Sequence, residues 1–518
     1  MSLKKFLVAA ILAVTTQGQA KENEMNRLII TETAKYKSLD PLDGDKTPNL
    51  PVARMIYLTP VQITKDNDLA SFVLESFTYE EKTKTIRWKM KTGLKYSDGS
   101  EMTAEDVAFS VVRMAHKRPK FPVIESIDGL ESWLSQKAPL KTLPSGLKVS
   151  GDMITIKLSH KHPTPLFRFC LELFSIIPKK CVNLETSQIT CAKIPTSGFY
   201  KIAGESDSHV EFERSHLEKN KFDGPEKIKF EYWPMAAVES RLVELDEKTV
   251  LSGNEANFTL EALKKIENDF KIHFLPAARF TDLDINKSQD FFKDKLCRQV
   301  FVKTFRESFQ KVAGSYFNLE TSIFTKIVPG YLSTSDLSKK SFDQLKESDV
   351  AKCKDKIKIH PPVWGVAEPE KDSILNKALQ MTFKKLGASE NPTMVLKTKS
   401  ELGDLFDSGK VSIFYGGSGF WAQDAAGDLQ MLFTPGLHKS LDFVTQDESL
   451  QSLIYKLKED PTNKSRFTEI NQYLHDEALF NVYSHVRRFF VSKKSSQNLD
   501  LPFAITSPFP WHLFEAAK

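Results

Sequence analysis

Apolar and polar positions alternate along this chain in short, well-bounded blocks. Leu28 to Thr31 is a brief apolar strand pattern leading into Ser38-Leu39-Asp40-Pro41, where the residue ahead of proline is held extended. Phe77 to Met90 reads as a hairpin: an aromatic strand, a charged turn over Glu80–Lys84, then alternating Ile86, Trp88 and Met90. The Asp98-Gly99 turn comes next, and Thr103 then stands as the N-cap of a helix. Glu105 and Asp106 favour the positive end of that helix, and Val107, Phe109, Val111, Val112 and Met114 give it an apolar face. Ile154, Ile156 and Leu158 alternate as another strand, and the apolar run Leu166 to Ile177 predicts a helix ended by Pro178.

The second half continues in the same way. Strands are predicted at Ile228–Trp233, at Leu283 to Asn286, at Ile357–Pro362 and at Val411–Tyr415. Helices are predicted over Ala236–Glu247, over a charged stretch carrying Arg298, Val300, Phe301 and Phe305, and over Ile374–Leu386. Strands and helices interleave irregularly, without repeats, which indicates an α/β class with mixed sheets. At 518 residues the chain exceeds one hydrophobic core, so two large lobes or three domains are expected.

The first twenty residues have a different character. Lys4 and Lys5 precede an unbroken apolar run, Phe6 to Val14, and Gly18-Gln19-Ala20 supplies the small residues that a signal peptidase reads. The run is far short of the roughly 20 residues a spanning helix needs. A leader over 1–20, without a lipid-anchoring cysteine, predicts a mature chain from Lys21 that is free in a periplasm. Composition agrees with a globular protein: 41% hydrophobic and 27% charged residues exclude global disorder. The 72 basic and 67 acidic residues are mixed along the chain, so the formal +5 forms no basic patch for nucleic acid. Of five cysteines, Cys181 and Cys191 are the expected pair in an oxidising compartment. Cys297 and Cys353 have no local feature favouring a bond, and Cys170, among Phe167, Phe169, Leu171 and Leu173, reads as a small buried hydrophobe.

Several blocks, in this order, resemble the periplasmic peptide-binding proteins, the extracellular solute-binding family 5 that serves ABC-type importers. The most specific is Trp88-Lys89-Met90-Lys91-Thr92-Gly93-Leu94-Lys95-Tyr96-Ser97-Asp98-Gly99 followed by Met102-Thr103-Ala104-Glu105-Asp106-Val107. Ser38-Leu39-Asp40-Pro41, Pro195-Thr196-Ser197-Gly198-Phe199-Tyr200, Lys295 to Val300, and Trp421-Ala422-Gln423-Asp424 with Asp428 behind it are similar to further family segments. The loop after Asp424 departs from the family pattern, with Ala425 and Ala426 where Tyr and Pro are usual.

The resemblance implies a two-lobed, Venus-flytrap fold with a hinge of two crossing strands and a solute enclosed as the lobes close. Lobe 1 would comprise residues 21–275 and 486–518, with a subdomain at about 60–180, and lobe 2 residues 280–484. Leu283–Asn286 and Tyr483–Phe490 would be the crossings. It implies a monomer, a peptide or small-molecule ligand, a membrane permease as partner, and no cofactor. Gly417 and Gly419 would let backbone approach the ligand, Phe420 and Trp421 would wall it, and Asp424 would receive a peptide's ammonium. Read from the residues alone, Trp421 serves equally as core, and Asp424 as the cap of a helix over Ala425–Phe433.

Catalytic motifs find no foothold: there is no His-Glu-x-x-His, and Gly416-Gly417-Ser418-Gly419-Phe420 has the wrong spacing for a nucleophile elbow. His160 and His162 would share a strand face but have no third metal ligand nearby. A solute sensor and a secreted hydrolase are the alternative readings.

Overall fold

A computed structural model describes residues 26–496, apart from 31–35, 37, 44–48, 65–67, 138, 163, 216–225, 234–237, 239, 255–265, 315–318, 340, 369–370, 421–423 and 437–440. The expected leader therefore lies outside the described residues. The described residues begin with β1 (Asn26–Ile30), a short ribbon of β2 (Gln62–Ile63) and β3 (Leu69–Ala70), and then β4 (Leu74–Glu80), β5 (Thr85–Met90), β6 (Leu147–Ser150) and β7 (Met153–Lys157). It continues with β8 (Tyr200–Glu205), β9 (His209–Arg214), β10 (Lys227–Tyr232), β11 (Thr249–Asn254) and β12 (Phe270–Phe274). The remaining strands are β13 (Arg279–Ile285), the pair β14 (Gly365–Ala367) and β15 (Met394–Leu396), β16 (Ile413–Gly419), β17 (Phe480–Val486) and β18 (Arg488–Lys493).

Three sheets organise the molecule: β4-β5-β7-β6, the seven-stranded β12-β18-β11-β1-β10-β9-β8, and the three-stranded β16-β13-β17. In the seven-stranded sheet β1 runs parallel to both β10 and β11 while the other pairings are antiparallel, so the sheet is mixed as expected. One core gathers Trp88, Phe109, Phe169, Phe174, Tyr200 and Phe230 around the first two sheets. A second collects Leu283, Phe301, Phe305, Trp364 and Phe383, and a third Phe280, Phe324, Leu429, Phe433 and Phe480, so these two cores cover the three-stranded sheet.

Among the described residues the chain passes between the two bodies twice. Residues 275–278 lead from β12 to β13, and Arg487 alone separates β17 from β18. The first passage lies upstream of the expected Leu283–Asn286; Leu283 is instead fully buried at the centre of β13, paired on both sides. Leu275 N–H donates to the Arg488 carbonyl (2.8 Å), so the two passages run side by side, the geometry of a hinge.

Local signals explain much of this. The helix α1 (Ala104–Lys117) starts with a full capping box: Thr103 Oγ1 accepts from Asp106 N–H, and Asp106 accepts from Thr103 N–H. Gly93 and Gly99 sit at φ +75° and +83°, which the two turns of the Trp88–Asp106 block require. Two helical or strand readings fail. The run 166–177 breaks into a single turn, α2 (Pro165–Arg168), and a 3-10 turn at Glu172–Phe174. Its two charged residues are buried and committed to distant partners, Glu172 to Arg54 and Arg168 to Asp424, so tertiary contacts override the apolar pattern. Ile357–Ile359 belongs to the end of a helix over Glu347–Ile359, not to a strand. Ala236–Glu247 falls partly outside the described residues and ends in a 3-10 turn at Leu242–Glu244. Sulfur bonds join Cys181 to Cys191 and Cys297 to Cys353, and Cys170 is a buried free thiol.

Candidate functional site

The stretch expected to face a ligand begins on β16, which among the described strands pairs with β13 alone and so forms an edge. Gly417 is exposed, but its missing side chain serves the sheet: a Cβ there would lie 2.8 Å from the Phe280 carbonyl. A Cβ on Gly419 would lie 2.5 Å from the Ala278 carbonyl, inside the first passage between the bodies. These glycines therefore let β13 and β16 approach closely where the hinge begins. Phe420 is buried at 2% exposure, its ring near those of Phe280 (5.6 Å) and Phe324 (5.3 Å). Its placement is that of a core residue and not of a ligand wall. Trp421 lies outside the described residues.

Asp424 is the N-cap of α3 (Ala425–Phe433), with Oδ1 accepting from Gly427 N–H at 3.2 Å. The other oxygen pairs with Nε of Arg168, which comes from α2 in the other body. Arg168 Nη2 also donates to the Asp424 carbonyl (2.9 Å), and Nη1 to Asp428 Oδ1 (2.8 Å). Side-chain exposure is 1% for Arg168, 0% for Asp424 and 10% for Asp428. Burial pushes the Asp424 carboxyl up from its ordinary range, and Arg168 opposes that shift. The carboxylate read as an ammonium receptor thus already holds a guanidinium supplied by the chain. Arg168 was invisible to sequence reasoning; its one signal was a lone arginine in an apolar run.

Two more contacts cross the same seam. Lys458 Nζ meets Glu125 Oε1 at 2.6 Å, and Lys120 Nζ donates to the Pro435 carbonyl at 3.1 Å. Asp40 is a structural residue: Arg113 donates to both of its oxygens, at 2.8 and 2.5 Å. On β13, Asp282 and Asp284 are both buried, and desolvation raises both carboxyls, Asp282 to about 7. His162 is buried while His160 stays half-buried beside Ser159 (3.1 Å), so their imidazoles are not displayed together. Among the described residues no three metal-binding side chains cluster.

Residues 69–438 match the profile of the bacterial extracellular solute-binding proteins, family 5. The chain belongs to this family. Its work is accordingly the binding of a solute on behalf of an ABC-type importer. Solved structures of the same fold include the Haemophilus influenzae OppA in complex with the peptide RPPGFSPFR, at 16% identity and TM-score 0.73, covering 95% of this chain and 98% of that one. NikA from Brucella suis in complex with Fe(III)-EDTA gives 14% identity and TM-score 0.72, covering 94% and 99%. The Escherichia coli murein tripeptide binding protein MppA gives 16% and 0.72, covering 90% and 94%. All three are two-lobed binding proteins, and this chain shares that fold. No helix among the described residues is long and apolar enough to cross a membrane.

Proposed function

We propose that this chain encloses a short peptide between its lobes in the periplasm and hands it to an inner-membrane permease, acting as a monomer by stoichiometric binding without turnover. The observation that carries the peptide reading is the edge of β16. An edge strand offers main-chain donors and acceptors to an extended ligand, and Gly416-Gly417-Ser418-Gly419 sets almost no side chain in the way. Backbone pairing of this kind reads peptide shape and tolerates varied side chains, which suits a general scavenger. Peptide-bound OppA and tripeptide-binding MppA, which share the fold, support the same class, whereas Fe(III)-EDTA on NikA is a different type of ligand held by the same scaffold.

The test is native mass spectrometry of protein purified without refolding, followed by calorimetry with tri- to pentapeptides. A ladder of co-purified peptide masses and one-to-one binding is the expected result. One discrete non-peptide mass, or no heat with any peptide, would overturn the peptide reading.

A further inference from the structure

We propose that Arg168, Asp424 and Asp428 form a latch that holds the two lobes closed before any solute arrives, seated in a socket made by Gly427. The inference rests on the two-lobe closing reading, and it adds that closure has an internal source of free energy.

The latch crosses the seam at a buried point, with side-chain exposures of 1% for Arg168 and 0% for Asp424. Arg168 ends α2, directly before Phe169, which is fully buried with its ring 4.8 Å from that of Trp88 in the first core. Its guanidinium leaves that body and enters the first turn of α3, whose Leu429 and Phe433 belong to the third core. There it meets one carbonyl and two carboxylates, a fork geometry that arginine satisfies and lysine does not. By contrast Lys458 and Glu125 are each about one-third exposed, where an ion pair contributes little.

Gly427 fits the same contact from the helix side. A Cβ at this position would collide with Arg168 Nη2 and sit 2.6 Å from Asp424 Oδ2. Within a helix alanine is the better former, so local structure gives no reason for glycine here. Admission of the guanidinium does. The three charges are also suited to reversible closure, because desolvation offsets part of their mutual attraction and leaves a modest net bias toward the closed state, whereas removing one partner strands the others in the seam. Opening rehydrates all of them together and leaves no charge stranded.

The decisive experiment measures the distance between spin labels, one on each lobe, in protein freed of solute, so it does not depend on which solute binds. The wild type is expected to be mainly closed. Gly427→Ala and Arg168→Met should each lower the closed-to-open ratio at least tenfold, Asp428→Asn several-fold, and Lys458→Ala less than twofold. Arg168→Lys should fail to restore closure. Gly427→Ala keeps every charge and favours the helix, so it carries the test even where Arg168→Met does not fold. A solute-free wild type that is already open, or a Gly427→Ala protein as closed as the wild type, would overturn the latch. Failure of the peptide reading would leave these solute-free distances unaffected.

Discussion

Phe420 separates a core role from a ligand-wall role with a single substitution. Its ring is buried to 2% and packs on Phe280 and Phe324, which in turn contact Phe480 and Phe467. Removing it in Phe420→Ala leaves a cavity bounded by stiff aromatic rings that relax poorly, so the cost should fall in the usual range for a buried phenylalanine, about 3–5 kcal/mol. For a cooperative unit of roughly 200 residues, each kcal/mol moves Tm by about 2–4 °C, so the melting transition should drop by ~6–20 °C. Differential scanning calorimetry of the solute-free protein checks this. Phe420→Leu, which refills most of the volume, should recover more than half of the loss. Refutation would be a melting point within about 2 °C of wild type for Phe420→Ala together with a tenfold loss of ligand affinity, an outcome that only an aromatic face turned to the ligand produces.

Three further outcomes are expected. Asp282 titrates near 7 in the folded protein against 3.8 for the free side chain, chiefly because burial penalises its charge. A raised carboxyl pKa means stability present at low pH and lost as pH rises from about 4 through about 7. Asp282→Asn should therefore gain stability over wild type at pH 8 in urea titrations and little at pH 4, and parallel curves would sink this account. Opening the Cys297–Cys353 bond, whose partners are 56 residues apart, should cost about 4 kcal/mol, against roughly 3 for Cys181–Cys191 at separation 10. Paired serine substitutions measured by chemical denaturation would show whether that order holds. Gly198→Ala should destabilise by at least about 2 kcal/mol, because its Cβ would lie 2.5 Å from the Ile56 backbone and disturb the Gly198 N–H to Ile56 carbonyl bond; an unchanged Tm would deny that close approach.

What the sequence made legible is what local chemistry decides. Thr103 and Asp106 announce a helix start because both halves of the capping box lie within four residues, and Ile374–Leu386 has the helical period over its whole observed length. Asp424 was readable as a cap for the same reason. Its other partner, Arg168, stands 256 residues earlier, and no pattern in either segment points to the other. The same long-range pairing undid the helix expected over 166–177, since a buried arginine and a buried glutamate each fixed the backbone from outside. The glycines ahead of Phe420 answer to backbone far upstream in the chain, Gly417 to the Phe280 carbonyl on β13 and Gly419 to the Ala278 carbonyl just before that strand. Family-level motifs survive such blindness because they sit in turns and caps, whereas selectivity is written in tertiary contacts.

The position of β18 bears on how the molecule comes to be made. It lies inside the seven-stranded sheet, between β12 and β11, although it is the last strand among the described residues. Until residues 488–493 emerge during synthesis, β12 lacks its partner among the described strands and β11 has one edge that none of them pairs. The larger sheet therefore waits for nearly the whole polypeptide, while the second body, whose strands and helices lie between Arg279 and Val486, can assemble earlier. The N-terminal body therefore stays incomplete for as long as translation lasts, and β18 closes the sheet only when synthesis is nearly over.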